Sequence, residues 1–174
     1  LITLAQGGWE PHNLALVRSL VRPGDVALDI GAHVGQFTIL MGSLVGSAGR
    51  VLAFEPAPEN FTELSANVSL NGFSAVVEPV RSALSDRPGE AEFYSDGDTG
   101  GTEFSMFAER HGQSGTAFRV SCSAVDQVLD DRSLASVQFM KIDTEGAELL
   151  VLRGAEQTLA RSPDLSLLIE LHPW

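Results

Sequence analysis

Short apolar runs separated by amphipathic stretches extend through most of this chain. VALDI (26–30), RVLAFE (50–55), AVVEPV (75–80), VQFMKID (137–143) and LSLLIEL (165–171) are β-branched or leucine-rich and end at turn residues. Their apolarity is near-continuous rather than alternating, which predicts parallel strands covered on both faces. Between them, helical spacing returns at Val34, Phe37, Thr38, Met41, Leu44 and Val45, at Phe61, Leu64 and Val68, and at Ala147, Leu150, Val151, Ala155 and Leu159. Recurrence every three or four positions places one stripe along a helix. EPHNLALVRSL adds an N-terminal helix candidate, with Pro11 suited to a first turn. Strands alternating with helices predict an α/β fold built on a doubly wound, mostly parallel sheet. Residues 84–125 break the rhythm: GEAEFYSDGDTGGTEF and TAFRVSCSAV predict short strands around a Gly-rich polar loop, Ser95 to Thr116. A loop of that length in a compact domain is usually functional or mobile. With no repeat, low-complexity tract or linker, residues 1–174 read as a single domain.

Composition narrows the partners. A net charge of -12, without any run of Lys or Arg, argues against a nucleic acid, whose phosphates need basic clusters. The single cysteine, Cys122, excludes an intrachain disulfide and a multi-cysteine metal site, and reads as a buried bystander. No apolar run reaches the ~18–20 residues of a membrane span, and no basic-then-apolar start is present. The expectation is a cytoplasmic chain without a membrane partner. A start at Leu1 and a stop just after LIELHPW suggest a trimmed domain or a fragment of a longer protein. Nothing in the pattern specifies an oligomeric state.

The chemistry begins where the first strand ends. VALDIGAHVGQF leaves an apolar run through Asp29, Gly31 and Gly35 and enters a helix. Open α/β sheets bind ligands at the carboxyl ends of their strands, where the strand order reverses. A dinucleotide site needs G-x-G-x-x-G so that the backbone can approach a pyrophosphate. Here the spacing is D-x-G-x-x-x-G, with the side chains of Ala32 and His33 in the way, which disfavours a nicotinamide oxidoreductase. The space over Gly31 suits a smaller amino-acid-plus-ribose group. The next strand closes on Glu55, an acid suited to accepting hydrogen bonds from two ribose hydroxyls. The pair of strand-end acids favours an adenosine ligand over simple packing.

Seven segments then go together: WEP (9–11), RPGDVALDIGAHVGQFT (22–38), GRVLAFEPAPENFTELSANVSLNG (49–72), SALSDRPGEAEFY (82–94), SAVDQVL (123–129), VQFMKIDTEGAELLVLRGA (137–155) and LIELHP (168–173). In these the chain resembles the FkbM family of S-adenosylmethionine (SAM)-dependent methyltransferases, a resemblance that spans nearly its whole length. It implies the class I methyltransferase sheet, Rossmann-like, and O-methylation of hydroxyls on small natural products or sugars. By the same resemblance Asp29, Gly31, Ala32, His33 and Gly35 border the methionine end of the cofactor, Glu55 and Pro56 take the ribose, Ser82 and Ala83 lie near adenine, and Glu10 closes over the cofactor amino group. Asp143, in KIDTEG, falls where the methyl leaves. His33 stands where the family more often carries Asn. The class I sheet has two further strands after the fifth; they would follow Trp174 or be lacking.

Methyl transfer to oxygen needs alignment and a group that takes the hydroxyl proton. Asp143, Glu145, Glu170 and His172 are the strand-end candidates, of which Asp143, Glu145 and His172 are the expected catalytic residues. Asp143 and Thr144 equally suit capping the helix that follows, and Glu145 suits its dipole. Asp143 with Glu170 offers two oxygen ligands for Mg²⁺ without a visible third, so no metal is required on this reading. His12 and His111 read as solvated, Trp9 and Trp174 as packing residues. A noncatalytic interaction or allosteric module on the same fold is the alternative.

Overall fold

The computed structural model describes residues 10–95, 104–105 and 116–172. In chain order the elements are α1 (Pro11–Leu20), β1 (Val26–Ile30), α2 (Gln36–Val45), β2 (Arg50–Phe54), α3 (Pro58–Leu70), β3 (Val77–Val80), β4 (Ala83–Leu84), β5 (Gly89–Ser95), β6 (Phe104–Ser105), β7 (Thr116–Ser123), α4 (Val125–Asp131), β8 (Phe139–Ile142), α5 (Glu148–Arg153), α6 (Glu156–Arg161) and β9 (Ser166–Ile169). Trp9, His111, Trp174 and nearly all of the Gly-rich loop lie outside the described residues.

Five strands form one sheet in the order β3-β2-β1-β8-β9, every neighbouring pair parallel. The chain winds outward from β1 through β2 to β3, then returns on the other side of β1 as β8. The reversal therefore falls between β1 and β8, which is where such sheets open a crevice. Both faces are covered, and this explains the strands' lack of alternation. Ala27, Val51 and Ala53 join a core with Leu14, Val17, Phe37, Met41 and Leu64 from α1, α2 and α3. Leu28, Ile30, Leu52 and Phe54 turn to the opposite core, with Val125, Leu129, Val151 and Ala155. Fully burying each large apolar side chain contributes about 1.5–3 kcal/mol.

Residues 84–125 build more than strands around a loop. A second sheet runs β4-β7-β5-β6, with β7 and β6 antiparallel to β5 and β4 parallel to β7. Its own small core holds Ala83, Phe93, Val120 and Cys122. The helix α4 was not legible as a periodic pattern because it is only seven residues long. The stripe from Ala147 to Leu159 is not one helix but two, α5 and α6. At the break Gly154 is packed against the main chain: a Cβ there would lie 2.1 Å from the Ser85 carbonyl oxygen. The Asp126 carboxylate then accepts the N–H groups of Gln157 and Thr158 and the Thr158 hydroxyl, capping α6 from a different helix. No helix among the described residues is long and apolar enough to cross a membrane.

Candidate functional site

The loop after β1 is shaped by its own chain before any ligand is considered. Gly31 has φ +78°, and a Cβ on it would lie 1.7 Å from the Asp143 carbonyl oxygen. The glycine is thus required by the approach of the loop after β8. Its N–H and that of Ala32 donate to the Phe54 carbonyl, tying the loop to β2. His33 occupies the left-handed region at φ 52°, where Asn, Asp and His are the residues best tolerated after glycine. Gly35, at φ 96°, begins α2 and would press a Cβ against Leu64. Asp29 is fully buried beneath this loop; Thr38 donates its hydroxyl to Oδ2 at 2.5 Å, and Oδ1 has no hydrogen-bond partner. Burial pushes the Asp29 carboxyl up, against the lowering effect of Lys141.

Glu55 follows directly on β2. Its Oε2 accepts the His33 N–H at 2.8 Å and its Oε1 the Ala57 N–H at 2.9 Å, so one carboxylate bridges the loops after β1 and β2. Burial drives its pKa up to about 7 despite those N–H donors. The Asn60 side chain hydrogen-bonds the same carboxylate, which with its two oxygens has acceptor capacity beyond these three donors. From here a cleft of about 650 Å³ runs along the strand ends, lined on this side by Ala32, His33, Glu55, Pro56, Asn60, Ser82, Ala83 and Phe93.

The other end of the cleft is an acid–histidine cluster built by the loops after β8 and β9. His172 Nε2 lies 3.5 Å from Glu145 Oε1 and 3.9 Å from both Asp143 Oδ1 and Glu170 Oε1. Its Nδ1 is 3.2 Å from Glu148 Oε1. Asp143 Oδ2 accepts from the buried Lys141 ammonium at 2.9 Å. That ammonium also lies 4.8 Å from the centroid of the Phe37 ring. Burial alone would lower the Lys141 pKa, but Asp29 and Asp143 outweigh it and hold the amine charged. Burial, with the negative charges of Asp143 and Glu10 added, raises the Glu170 carboxyl. Asp143, Glu170 and His172 each offer one donor atom within 4.8 Å of the others. The third donor that the sequence left invisible is the imidazole.

Of the residues singled out in the sequence, Glu10, Gly31, Ala32, His33, Glu55, Pro56, Ser82, Ala83, Asp143, Glu145, Glu170 and His172 all line this one cleft. Asp29 and Gly35 do not line it; they lie behind the loop and support it. Ser82 directs its hydroxyl to the carbonyls of Ala83 and Ser121, linking the cleft to the second sheet. Lys141 and Glu148 were missed. A lysine inside the apolar strand FMKI was the available signal for the first, since such a charge is buried only with partners. No spacing rule pointed to Glu148.

A family model described as "Methyltransferase FkbM domain" matches residues 29–174. The chain is 30% identical over 162 residues to 31-O-demethyl-FK506 methyltransferase FkbM of Streptomyces tacrolimicus, covering 78% of this chain and 61% of that protein. It is 28% identical over 146 residues to Methyltransferase 1 of Beauveria bassiana, covering 74% and 57%. The chain thus spans about three-fifths of the length of these relatives. In fold it is similar to precorrin 8w decarboxylase of Methanobacterium thermoautotrophicum, with a TM-score of 0.55 and 15% identity over 94% of this chain and 64% of that one. The extent of the family match, with the doubly wound sheet and its strand-end cleft, leads to one statement of identity: the chain belongs to the FkbM methyltransferase domain family.

Proposed function

We propose that this cleft binds SAM and that the protein moves the SAM methyl group to a hydroxyl oxygen of a small metabolite or sugar. The observation that carries the reading is the single cleft joining Glu55 at the end of β2 to the Asp143–Glu145–Glu170–His172 cluster after β8 and β9. Its donor set fits the cofactor. Glu55 presents acceptor lone pairs beside the backbone of His33 and Ala57, which suits vicinal ribose hydroxyls. Glu10, Asp143, Glu145 and Glu170 make the far end anionic, which suits a sulfonium and an ammonium group. The volume falls in the ~300–1,000 Å³ range of small-molecule sites.

When bound, SAM supplies an electrophilic methyl: the acceptor oxygen forms the new C–O bond as the C–S bond breaks, its electrons staying on sulfur in S-adenosylhomocysteine. The protein's part is to take the hydroxyl proton and hold the acceptor in line. His172 Nε2 is the base on this reading, and Asp143, Glu145 and Glu170 surround the positive charge that forms on the ring. A base so placed contributes on the order of 10²–10⁴-fold, and alignment about 7–11 kcal/mol of the barrier. The name of the Streptomyces relative, an O-demethyl compound's methyltransferase, supports oxygen as acceptor. The net charge of -12 supports a small molecule over nucleic acid.

Calorimetry with SAM and with NADH, wild type beside Glu55→Ala, tests the cofactor. Micromolar SAM binding is expected, weakened by about 1.5–3 kcal/mol in the variant. S-adenosylhomocysteine release is then followed with a panel of hydroxylated small molecules. SAM binding without turnover on any acceptor would leave the fold as a noncatalytic module, and NADH binding in place of SAM would replace the cofactor assignment.

A further inference from the structure

The cleft's histidine is held from behind by a residue that never reaches the cleft. Glu148 opens α5, with its side chain 6% exposed, and is absent from the cleft wall. Its Oε1 accepts the Gly146 N–H at 2.9 Å, with the Thr144 N–H and hydroxyl each at 3.3 Å. The fourth group on that oxygen is His172 Nδ1. Burial opposes the Glu148 charge, but the amides of Gly146 and of Glu148 itself, with the His172 ring and the Thr144 amide after them, outweigh it and keep the carboxyl below its ordinary range. An ionised carboxylate only accepts hydrogen bonds. Nδ1 must therefore be the donor, and in the neutral ring the proton sits there.

The opposite nitrogen has the complementary surroundings. Nε2 faces Glu145, Asp143 and Glu170 at 3.5–3.9 Å, all of them cleft residues and acceptors when ionised. All three are longer than the 3.2 Å from Nδ1 to Glu148, so Glu148 has the closest hold on the proton of the neutral ring. The ring itself is mostly enclosed, its side chain 16% exposed.

We infer that Glu148 is a positioning residue that fixes His172 as the Nδ1–H tautomer and so leaves Nε2 bare toward the cleft. This rests on the reading of His172 as the base, and it adds what makes that base competent. One ring nitrogen can take a substrate proton only if the other already holds its own. Glu148 touches no substrate; it acts through the imidazole. The carboxylate itself is anchored by the backbone turn of Thr144–Gly146, so the motif TEGAE places acceptor and anchor in one stretch.

The test reads the tautomer directly. Long-range nitrogen–proton NMR on the full chain, at alkaline pH where rings are neutral, separates Nδ1–H from Nε2–H. The chain has four histidines, and His172→Gln assigns the signal. The expected result is an Nδ1–H ring for His172 in the wild type, shifting toward Nε2–H or a mixture in Glu148→Gln, with Glu148→Asp restoring the wild-type form. An Nε2–H ring in the wild type overturns the inference, and needs no variant to fold. An Nδ1–H ring that persists unchanged in a folded Glu148→Gln overturns it equally. S-adenosylhomocysteine formation by the wild type is scored separately: its absence beside the expected tautomer counts against methyl transfer and leaves the Glu148–His172 arrangement standing. Where turnover is present, Glu148→Gln is expected to lower kcat by at least tenfold with SAM affinity within twofold, while an unchanged kcat overturns the positioning role.

Discussion

The Lys141 ammonium lies 2.9 Å from Asp143 Oδ2, with its side chain 4% exposed, at the inner wall of the cleft. It is the positive charge that allows Asp29 and Asp143 to be placed at adjacent strand ends. Lys141→Met keeps much of the volume and leaves both carboxylates without that partner. Breaking a buried pair by removing one member costs about 3–5 kcal/mol, and urea denaturation should show a loss of that size. A loss below about 1 kcal/mol would mean that water, not Lys141, carries the charge of Asp143.

Gly31 and Gly24 both have positive φ but differ in what surrounds them. A Cβ on Gly24 meets nothing within 4 Å, whereas one on Gly31 meets the Asp143 carbonyl at 1.7 Å. Gly24→Ala should therefore cost only the left-handed backbone term, about 1–2 kcal/mol. Gly31→Ala should cost that plus the displacement of the loop after β8, a further ~1–3 kcal/mol or more. Equal destabilisation of the two variants would show that the two loops separate without resistance.

These two positions also show what the sequence can and cannot carry. The five strands of the main sheet were legible because burial on both faces leaves near-continuous apolar runs, as at Val51 to Phe54. Candidate site residues at strand ends were legible for the same reason: a polar residue that closes an apolar run is placed by the run. Glu55 and Asp143 are of this kind. What a residue does across space was not legible. Gly31 reads as room for a ligand, yet its missing side chain answers to Asp143, more than a hundred positions away. Glu148 carries no signal of its own in the sequence; the segment after β9 brings His172 onto it. The second sheet escaped notice because β4 and β6 are two residues each, too short for any period.

Glu55 makes stability and cofactor binding depend on pH in opposite directions. Its folded-state pKa is raised from 4.5 to about 7 by burial. Folding therefore takes up a proton, and the stability that this contributes is fully present below pH 4.5 and lost as pH rises through 7. The loss is on the order of 3 kcal/mol. Denaturation of wild type and Glu55→Gln at several pH values between about 5 and 8 isolates this group from Asp29, whose carboxyl is also raised. The wild type should lose more stability over that range than the variant. SAM binding, if it uses the ionised carboxylate, should tighten as pH rises through about 7 in the wild type alone. Parallel stability profiles would place the proton elsewhere.

The same geometry bears on metal dependence. Asp143, Glu170 and His172 have the mutual spacing of a three-donor cation site. Two features favour a metal-free reaction. Asp143 already has the Lys141 ammonium on one oxygen, which supplies local positive charge. His172 Nε2 has a use as base only if no ion occupies it. Dialysis against a chelator is therefore expected to leave turnover and thermal stability unchanged, and added Mg²⁺ or Mn²⁺ to raise neither by a saturable amount. A chelator-sensitive activity restored by Mg²⁺, with a matching rise in melting temperature, would assign the three residues to a metal. Asp143, Glu170 and His172 would then hold the ion, which would supply Lewis acidity toward a hydroxyl, and His172→Gln would abolish the ion's effect on melting as well as turnover.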